Sequence, residues 1–289
     1  MILKIRKEDD YELIDSGEEE KLERYGSYVL RRPDPEALWS KSKDILWNNP
    51  DLKFIREKEK TKWIINNNVP KSWNIKYDDL TFSIKPTSFK HIGIFPEQIS
   101  NWDWIEELIN KSIKNKQEIN VLNLFAYTGG ASLICARAGA RVCHVDSSKM
   151  AVSWARENAK LSNLEDKPIR WIVDDIITFL KREIRRGSKY DAIIMDPPSF
   201  GHGPAKELWK IEENFKELIE SCRKVLSNKP LFILINGYTA GYSSITYQNI
   251  LSDMMKEYNG VIESGELVIG EKDDNRLLPC GIFARWSDK

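Results

Sequence analysis

Two hydrophobic rhythms divide the chain. Beyond residue 95, short apolar runs alternate with longer segments in which apolar residues recur every three or four positions. The runs over 119–125, 141–146, 169–173, 192–195 and 231–235 predict strands buried on both faces, as parallel sheets require. Helices are predicted over 96–113, where Trp102, Ile105, Ile109 and Ile113 share a face, and over 130–138, 148–161, 176–186, 212–226 and 243–258. Two β-like runs, 261–269 and 277–286, close the chain with no helix between them, which predicts an antiparallel hairpin at one edge. The expected class is α/β: a doubly wound, mostly parallel seven-stranded sheet with an antiparallel edge hairpin, over residues 88–289.

The first 87 residues follow a shorter rhythm. Strand-like pieces over 3–6, 11–15, 21–25 and 28–32 are separated by the turn signals Asp15-Ser16-Gly17 and Gly26-Ser27. A helix is predicted over 36–47, with Asp34 as N-cap and Pro35 at its first position. Further strands are predicted over 52–56, 62–66, 74–77 and 81–85, which makes residues 1–87 a small β-rich domain. It holds Trp39, Trp47, Trp63 and Trp73, either as a compact core or as exposed platforms for base stacking; exposure decides between the two.

Charge narrows the function classes only slightly. Lys and Arg number 44 and so do Asp and Glu, so the chain of 289 residues is formally neutral and not histone-like. Neutrality leaves room for a local basic patch. The most basic stretch is 181–189, read either as ordinary charge at a helix C-terminus or as a phosphate contact. Mean hydropathy is −0.48, and no apolar run approaches the roughly 18 residues a membrane span needs. The first ten residues lack the long apolar core of a secretory signal. Cys135, Cys143, Cys222 and Cys280 form no paired motif and read as reduced, buried thiols of a cytoplasmic protein. His91, His144 and His202 sit at no ligand spacing to a cysteine, so no metal site is expected.

The candidate chemistry lies at the strand ends, because open parallel sheets bind ligands at the carboxyl ends of their strands. The first strand ends Asn123-Leu124-Phe125-Ala126-Tyr127-Thr128-Gly129-Gly130 and opens a helix. The pair Gly129 and Gly130 permits close approach of a ligand or of backbone. The full phosphate fingerprint of dinucleotide sites is absent, which favours a nucleoside ligand without a pyrophosphate. The second strand ends in Asp146, placed to accept from a ribose diol or else to cap the following helix. The third ends Asp174-Asp175, where one acid serves as a cap and Asp175 is favoured to meet an adenine amino group. The fourth ends Asp196-Pro197-Pro198-Ser199-Phe200. Two prolines freeze a carboxylate and a carbonyl that together could grip an amino group, while Phe200 could stack on a base.

Together these residues resemble the class I S-adenosylmethionine-dependent methyltransferases, with their Rossmann-like fold. The nearer likeness is to the 23S ribosomal RNA methyltransferases that carry a small β domain before the catalytic domain. The upstream segment Phe89-Lys90-His91-Ile92-Gly93-Ile94-Phe95-Pro96-Glu97-Gln98 matches too, and in that family it covers the bound cofactor. Residues 89–258 carry the resemblance well and the first 87 only loosely. The resemblance implies S-adenosyl-L-methionine as cofactor, held by Lys90, Gly93, Phe95, Gln98, Asn123, Phe125, Tyr127, Thr128, Gly129, Asp146, Ser147, Asp174, Asp175 and Asp196. It implies Asp196, Pro197 and Phe200 as catalytic residues, and ribosomal RNA as substrate and partner.

Two departures bear on the chemistry. Family members that methylate carbon 5 of cytosine carry a cysteine after the fourth or sixth strand; here those places read Asp196-Pro197-Pro198-Ser199 and Asn236-Gly237-Tyr238-Thr239. Transfer to nitrogen, which needs orientation rather than a covalent step, is therefore favoured. In amino-group methyltransferases the aromatic directly follows the prolines, whereas here Ser199 intervenes before Phe200. The rival readings are a methyltransferase of a protein side chain or small molecule, a nicotinamide-dependent oxidoreductase, and a noncatalytic RNA-binding module. The missing phosphate fingerprint opposes the oxidoreductase, and the Asp-Pro-Pro turn opposes the binding module.

Overall fold

The computed structural model describes all residues except 43, 58, 59, 67, 89, 116, 117, 206, 239, 240, 274 and 289, and leaves out the side chains of residues 44, 57 and 60. Phe89 and Thr239, both named above, thus lie outside the described residues. The chain forms two compact units. One comprises Leu3–Ser100 and Leu267–Cys280; the other comprises Met1–Ile2, Asn101–Glu266 and Gly281–Lys289.

The strands up to residue 84 are β1 (Ile2–Lys4), β2 (Tyr11–Gly17), β3 (Glu20–Tyr25), β4 (Tyr28–Pro33), β5 (Leu52–Glu57), β6 (Lys60–Ile65), β7 (Trp73–Tyr77) and β8 (Leu80–Ile84). β2 to β6 form a five-stranded sheet in chain order, and β7 pairs with β8 as a separate hairpin. All these neighbours are antiparallel except β4 and β5, which run parallel.

The helix predicted over 36–47 does not form. Only a short 3-10 turn, Asp44–Trp47, closes an otherwise irregular segment. Its backbone is bound to the β2–β3 turn instead: Glu18 N–H donates to Trp39 O and Glu19 N–H to Ala37 O. Trp39 Nε1 donates to the Ser16 carbonyl, and Trp47 Nε1 and the Ser42 hydroxyl donate to Asp15. Tertiary hydrogen bonds to β2 outweigh a weak local helix propensity. Gly17 permits this approach, because a Cβ there would lie 2.6 Å from the Lys41 backbone nitrogen. Asp34, expected as a helix cap, receives the Glu36 N–H in a turn and pairs with Lys21.

The four tryptophans of this unit hold structure rather than offer platforms. Trp47 is buried and the other three are half-buried. Each indole N–H has an acceptor, those of Trp63 and Trp73 being the carbonyls of Thr87 and Tyr25.

The second rhythm resolves into α1 (Ile99–Lys114), β9 (Asn120–Leu124), α2 (Gly130–Arg137), β10 (Arg141–Asp146), α3 (Lys149–Leu161), β11 (Ile169–Val173), α4 (Ile176–Arg186) and β12 (Ala192–Met195). After these come β13 (Phe200–His202), β14 (Leu208–Lys210), α5 (Ile211–Val225), β15 (Phe232–Gly237), α6 (Ser244–Met255), β16 (Val261–Gly270) and β17 (Leu277–Ser287). The sheet order is β1-β16-β17-β15-β12-β9-β10-β11. β9, β10, β11, β12 and β15 are parallel and β17 is antiparallel to β15, so the doubly wound sheet with its edge hairpin is present, extended by the short β1. Among the described residues no helix is long and apolar enough to cross a membrane.

Candidate active site

β9 lies between β10 and β12. The chain leaves β9 toward β10 and β11 on one side, then crosses to β12 on the other. That is the topological switch point, where crevices open at the carboxyl ends of strands. The loop over 125–130 and the turn over 196–201 both start there.

The first loop carries strain. Phe125 and Tyr127 have φ of 55° and 49°, in the left-handed region that costs a residue with a Cβ roughly 1–2 kcal/mol. Such strain needs surrounding bonds to hold it and gathers at functional sites. Here Ala126 N–H donates to Val145 O, Tyr127 N–H to Asp146 Oδ2 at 2.8 Å, and Asn158 Nδ2 to Thr128 O. The glycines serve the protein's own packing. A Cβ on Gly130 would stand 2.4 Å from Trp102 of α1, and one on Gly129 would stand 3.0 Å from the Ala155 methyl of α3. Asn123 is buried and points into the sheet face. Its amide donates to Ser132 Oγ, which in turn bonds His144 Nδ1 at 3.0 Å. Burial pushes His144 down to about 3, so this ring is neutral.

Asp146 takes one N–H on each oxygen, from Tyr127 and from Ser148, both at 2.8 Å. Each oxygen keeps a lone pair for a further donor. Burial raises its pKa from the ordinary 3.8, against the lowering effect of those two N–H groups. The capping of α3 falls to Ser148, whose hydroxyl accepts from Ala151 N–H. Ser147 stands between the two, partly buried. At the end of β11, Asp175 caps α4 through Thr178 N–H, and Asp174 pairs with Arg182. Asp175, favoured above for adenine, thus also does the capping work.

The stretch over 181–189 is tied to its neighbours. Lys181 pairs with Glu217 and Arg186 with Glu183, while Lys189 donates to the carbonyls of Lys224 and Leu226.

Beyond β12, Asp196 is partly exposed, Pro197 is buried and Phe200 is 55% exposed. The turn runs into the β13–β14 hairpin, which the hydrophobic pattern did not reveal; the alternation Leu208-Trp209-Lys210 is its one signal. Trp209 Nε1 donates to the Pro198 carbonyl at 2.6 Å, and its ring lies 4.9 Å from that of Phe125. The indole thus holds the carbonyl of the second proline, one residue beyond the Pro197 named as catalytic, and the Asp-Pro-Pro turn packs against the strained loop. Trp209 is a site-shaping residue that sequence reading missed.

Lys90, Gly93, Phe95 and Gln98 belong to the β-rich unit. The Lys90 carbonyl accepts from Arg32 Nη1, Gly93 has φ of 117°, Phe95 lies 5.2 Å from His91, and Gln98 N–H donates to Phe95 O. Burial and the nearby Lys21 lower the Lys90 ammonium, and burial pushes His91 down to about 4.

Comparison with known proteins decides the family: the S-adenosylmethionine-dependent methyltransferase family matches residues 51–241. The chain belongs to this family. The methyltransferase is 31% identical over 157 residues to ribosomal RNA large subunit methyltransferase K/L of Shewanella frigidimarina, covering 54% of this chain and 21% of that one. It is 38% identical over 104 residues to ribosomal RNA large subunit methyltransferase I of Salmonella arizonae, covering 36% and 23%. The matched part is about a fifth of the length of those relatives. A solved S-adenosylmethionine-dependent methyltransferase from Agrobacterium tumefaciens superposes with a TM-score of 0.95 at 39% identity, over 100% of this chain and 94% of that one. SMU.776, solved with S-adenosylhomocysteine, shares the fold at a TM-score of 0.73 and 20% identity, over 96% and 75%.

S-adenosylmethionine is the cofactor, and the switch-point residues fit it. Asp146 offers acceptor lone pairs from a desolvated carboxylate, the chemistry that a ribose diol takes. Asp146→Ala should weaken S-adenosylhomocysteine binding by about 1.5–3 kcal/mol, the range for a hydrogen bond to a charged group. Calorimetry on the folded variant checks this, and unchanged affinity would remove Asp146 from the ribose.

Proposed function

We propose that this methyltransferase modifies a base of ribosomal RNA, at a nitrogen rather than through a cysteine adduct at carbon, and that residues 1–87 take part in substrate recognition. The observation that carries the choice of atom is the state of the thiols. Cys135, Cys143 and Cys222 are buried and Cys280 is half-buried. Burial raises all four, Cys143 to about 11, so none is a ready thiolate. They lie in α2, β10, α5 and β17, and none of them is carried by the turns after β12 and β15 themselves. Support for RNA comes from the relatives, which are named for ribosomal RNA.

Bound S-adenosylmethionine supplies an electrophilic methyl on a sulfonium. The protein must bring a nitrogen lone pair in line with it. Asp196, on a turn stiffened by two prolines and anchored by Trp209, accepts an N–H of the target amine and aims its lone pair. As the N–C bond forms and the C–S bond breaks, positive charge grows on nitrogen and the carboxylate offsets it. The amine then loses its proton to Asp196 or to water. The exposed Phe200 provides a stacking face beside that position.

A variant with all four cysteines replaced by Ala or Ser should retain methyl transfer as long as it folds. A covalent complex trapped with fluorinated-pyrimidine RNA would refute the nitrogen reading. Methyl marks mapped in ribosomal RNA from cells with and without the gene should differ at one base; identical maps would overturn the RNA assignment.

A further inference from the structure

We propose that Tyr247 is a positioning residue for Asp196, its hydroxyl meeting the carboxylate from the protein side when the methyl-transfer site is filled. The inference rests on the reading of Asp196 given above. Tyr247 stands on α6, 1% exposed, and its hydroxyl oxygen is buried with no hydrogen-bond partner. Its place is set by Gly237, the last residue of β15. A Cβ on Gly237 would lie 2.4 Å from Tyr247 Cε2 and 2.5 Å from the hydroxyl, so the missing side chain is the space the phenol occupies.

β15 runs parallel to β12 with Ile235 opposite Met195. Two residues further along, Gly237 is level with Pro197. The phenol therefore sits at the height of the Asp-Pro-Pro turn. Phe215 and Tyr242 flank the ring at centroid distances of 5.6 and 6.3 Å and hold it there. Burial, with the Asp196 charge as the next cause, raises Tyr247 to about 12, so the group stays a protonated donor at any working pH.

A buried O–H without a partner lowers stability, and a phenylalanine would avoid that cost. Such a cost at the edge of a binding crevice is expected where function needs the group. A donor fixed behind Asp196 would hold one lone pair and leave the others facing the target amine. It would also favour the ionised carboxylate that the amine requires.

The test uses Tyr247→Phe, Asp196→Asn and the double variant, each measured for melting temperature and for binding of S-adenosylhomocysteine and sinefungin. Sinefungin carries an amine on the carbon that replaces the sulfonium, at the position of the transferable methyl. It therefore probes Asp196 without an RNA substrate. Tyr247→Phe should raise the melting temperature by about 2 °C, as loss of an unsatisfied hydroxyl does in a protein of this size. It should leave S-adenosylhomocysteine affinity within about twofold and lower the preference for sinefungin about tenfold, the worth of one charge-assisted hydrogen bond. Asp196→Asn should lose the preference as well, and the double variant should lose no more than Asp196→Asn alone.

A preference kept in Tyr247→Phe but lost in Asp196→Asn would overturn the inference and leave Asp196 in place. A preference kept in Asp196→Asn would overturn the reading of Asp196 and the inference with it. Additive losses, or a lowered melting temperature in Tyr247→Phe, would show that the hydroxyl acts elsewhere.

Discussion

Asp196→Ala should slow the single turnover of methyl transfer by about two to three orders of magnitude, the loss seen when one preorganised electrostatic contact to a transition state is removed. Cofactor affinity should move by less than about threefold, because the interaction strengthens as charge develops on the attacking nitrogen and contributes little in the ground state. The expectation follows from rigidity. Pro197 has a fixed φ, and the Pro198 carbonyl is held by Trp209 Nε1, so the backbone that carries the carboxylate is held rigidly at the end of β12. A carboxylate that only closed its turn would behave differently: its loss would lower the melting temperature and leave turnover near wild type. Melting temperature, S-adenosylhomocysteine affinity and single-turnover rate measured on one sample distinguish the two.

Glu23→Ala should destabilise the protein by about 3–5 kcal/mol, the cost of removing one partner of a buried ion pair. Glu23 is fully buried in β3 and accepts from Tyr11 at 2.8 Å, Tyr25 at 3.3 Å and Arg32 through two nitrogens. Lys21 stands 3.7 Å away. In the variant Arg32 stays buried and loses its carboxylate. Burial alone would raise the Glu23 carboxyl; the Arg32 and Lys21 charges, with hydrogen bonds from Arg32 and Tyr11, outweigh it and hold it below the ordinary 4.5. A carboxyl depressed in the folded state adds stability in full above its unfolded pKa, and that addition is lost as the pH falls through the folded pKa. Urea unfolding at neutral pH measures the first effect. Repeated toward acid, it should show wild-type stability falling more steeply than that of Glu23→Ala, and parallel curves would take Glu23 out of the acid response.

Arg32 also donates to the Lys90 carbonyl, at the head of the segment that the resemblance places over the cofactor. Glu23→Ala should therefore disturb that segment together with the sheet behind it.

The amino-acid sequence by itself determined the alternation of strands and helices from β9 onward, because a buried parallel strand and an amphipathic helix each write their own period within a few residues. It also marked the strand ends as the candidate site. Asp146, Asp174, Asp175 and Asp196 all follow apolar runs, and a carboxylate at a strand's end is visible without knowing the neighbouring strand. Only the tertiary structure decided what each group does there. Ser148 takes the capping of α3 and spares Asp146, whereas Asp175 caps α4 itself. Gly130 is required by the Trp102 indole, which is distant in sequence. Trp209 holds the Pro198 carbonyl, and Tyr247 fills the space over Gly237. The segment over 36–47 gives up its helix because its partners lie on β2 and β3. Residues 267–280 join the β-rich unit although they follow the whole parallel sheet in sequence. Periodicity is a property of neighbouring residues and survives in a one-dimensional string. Capping choices, indole packing and buried ion pairs depend on which distant segment arrives beside them, and chain folding alone sets that.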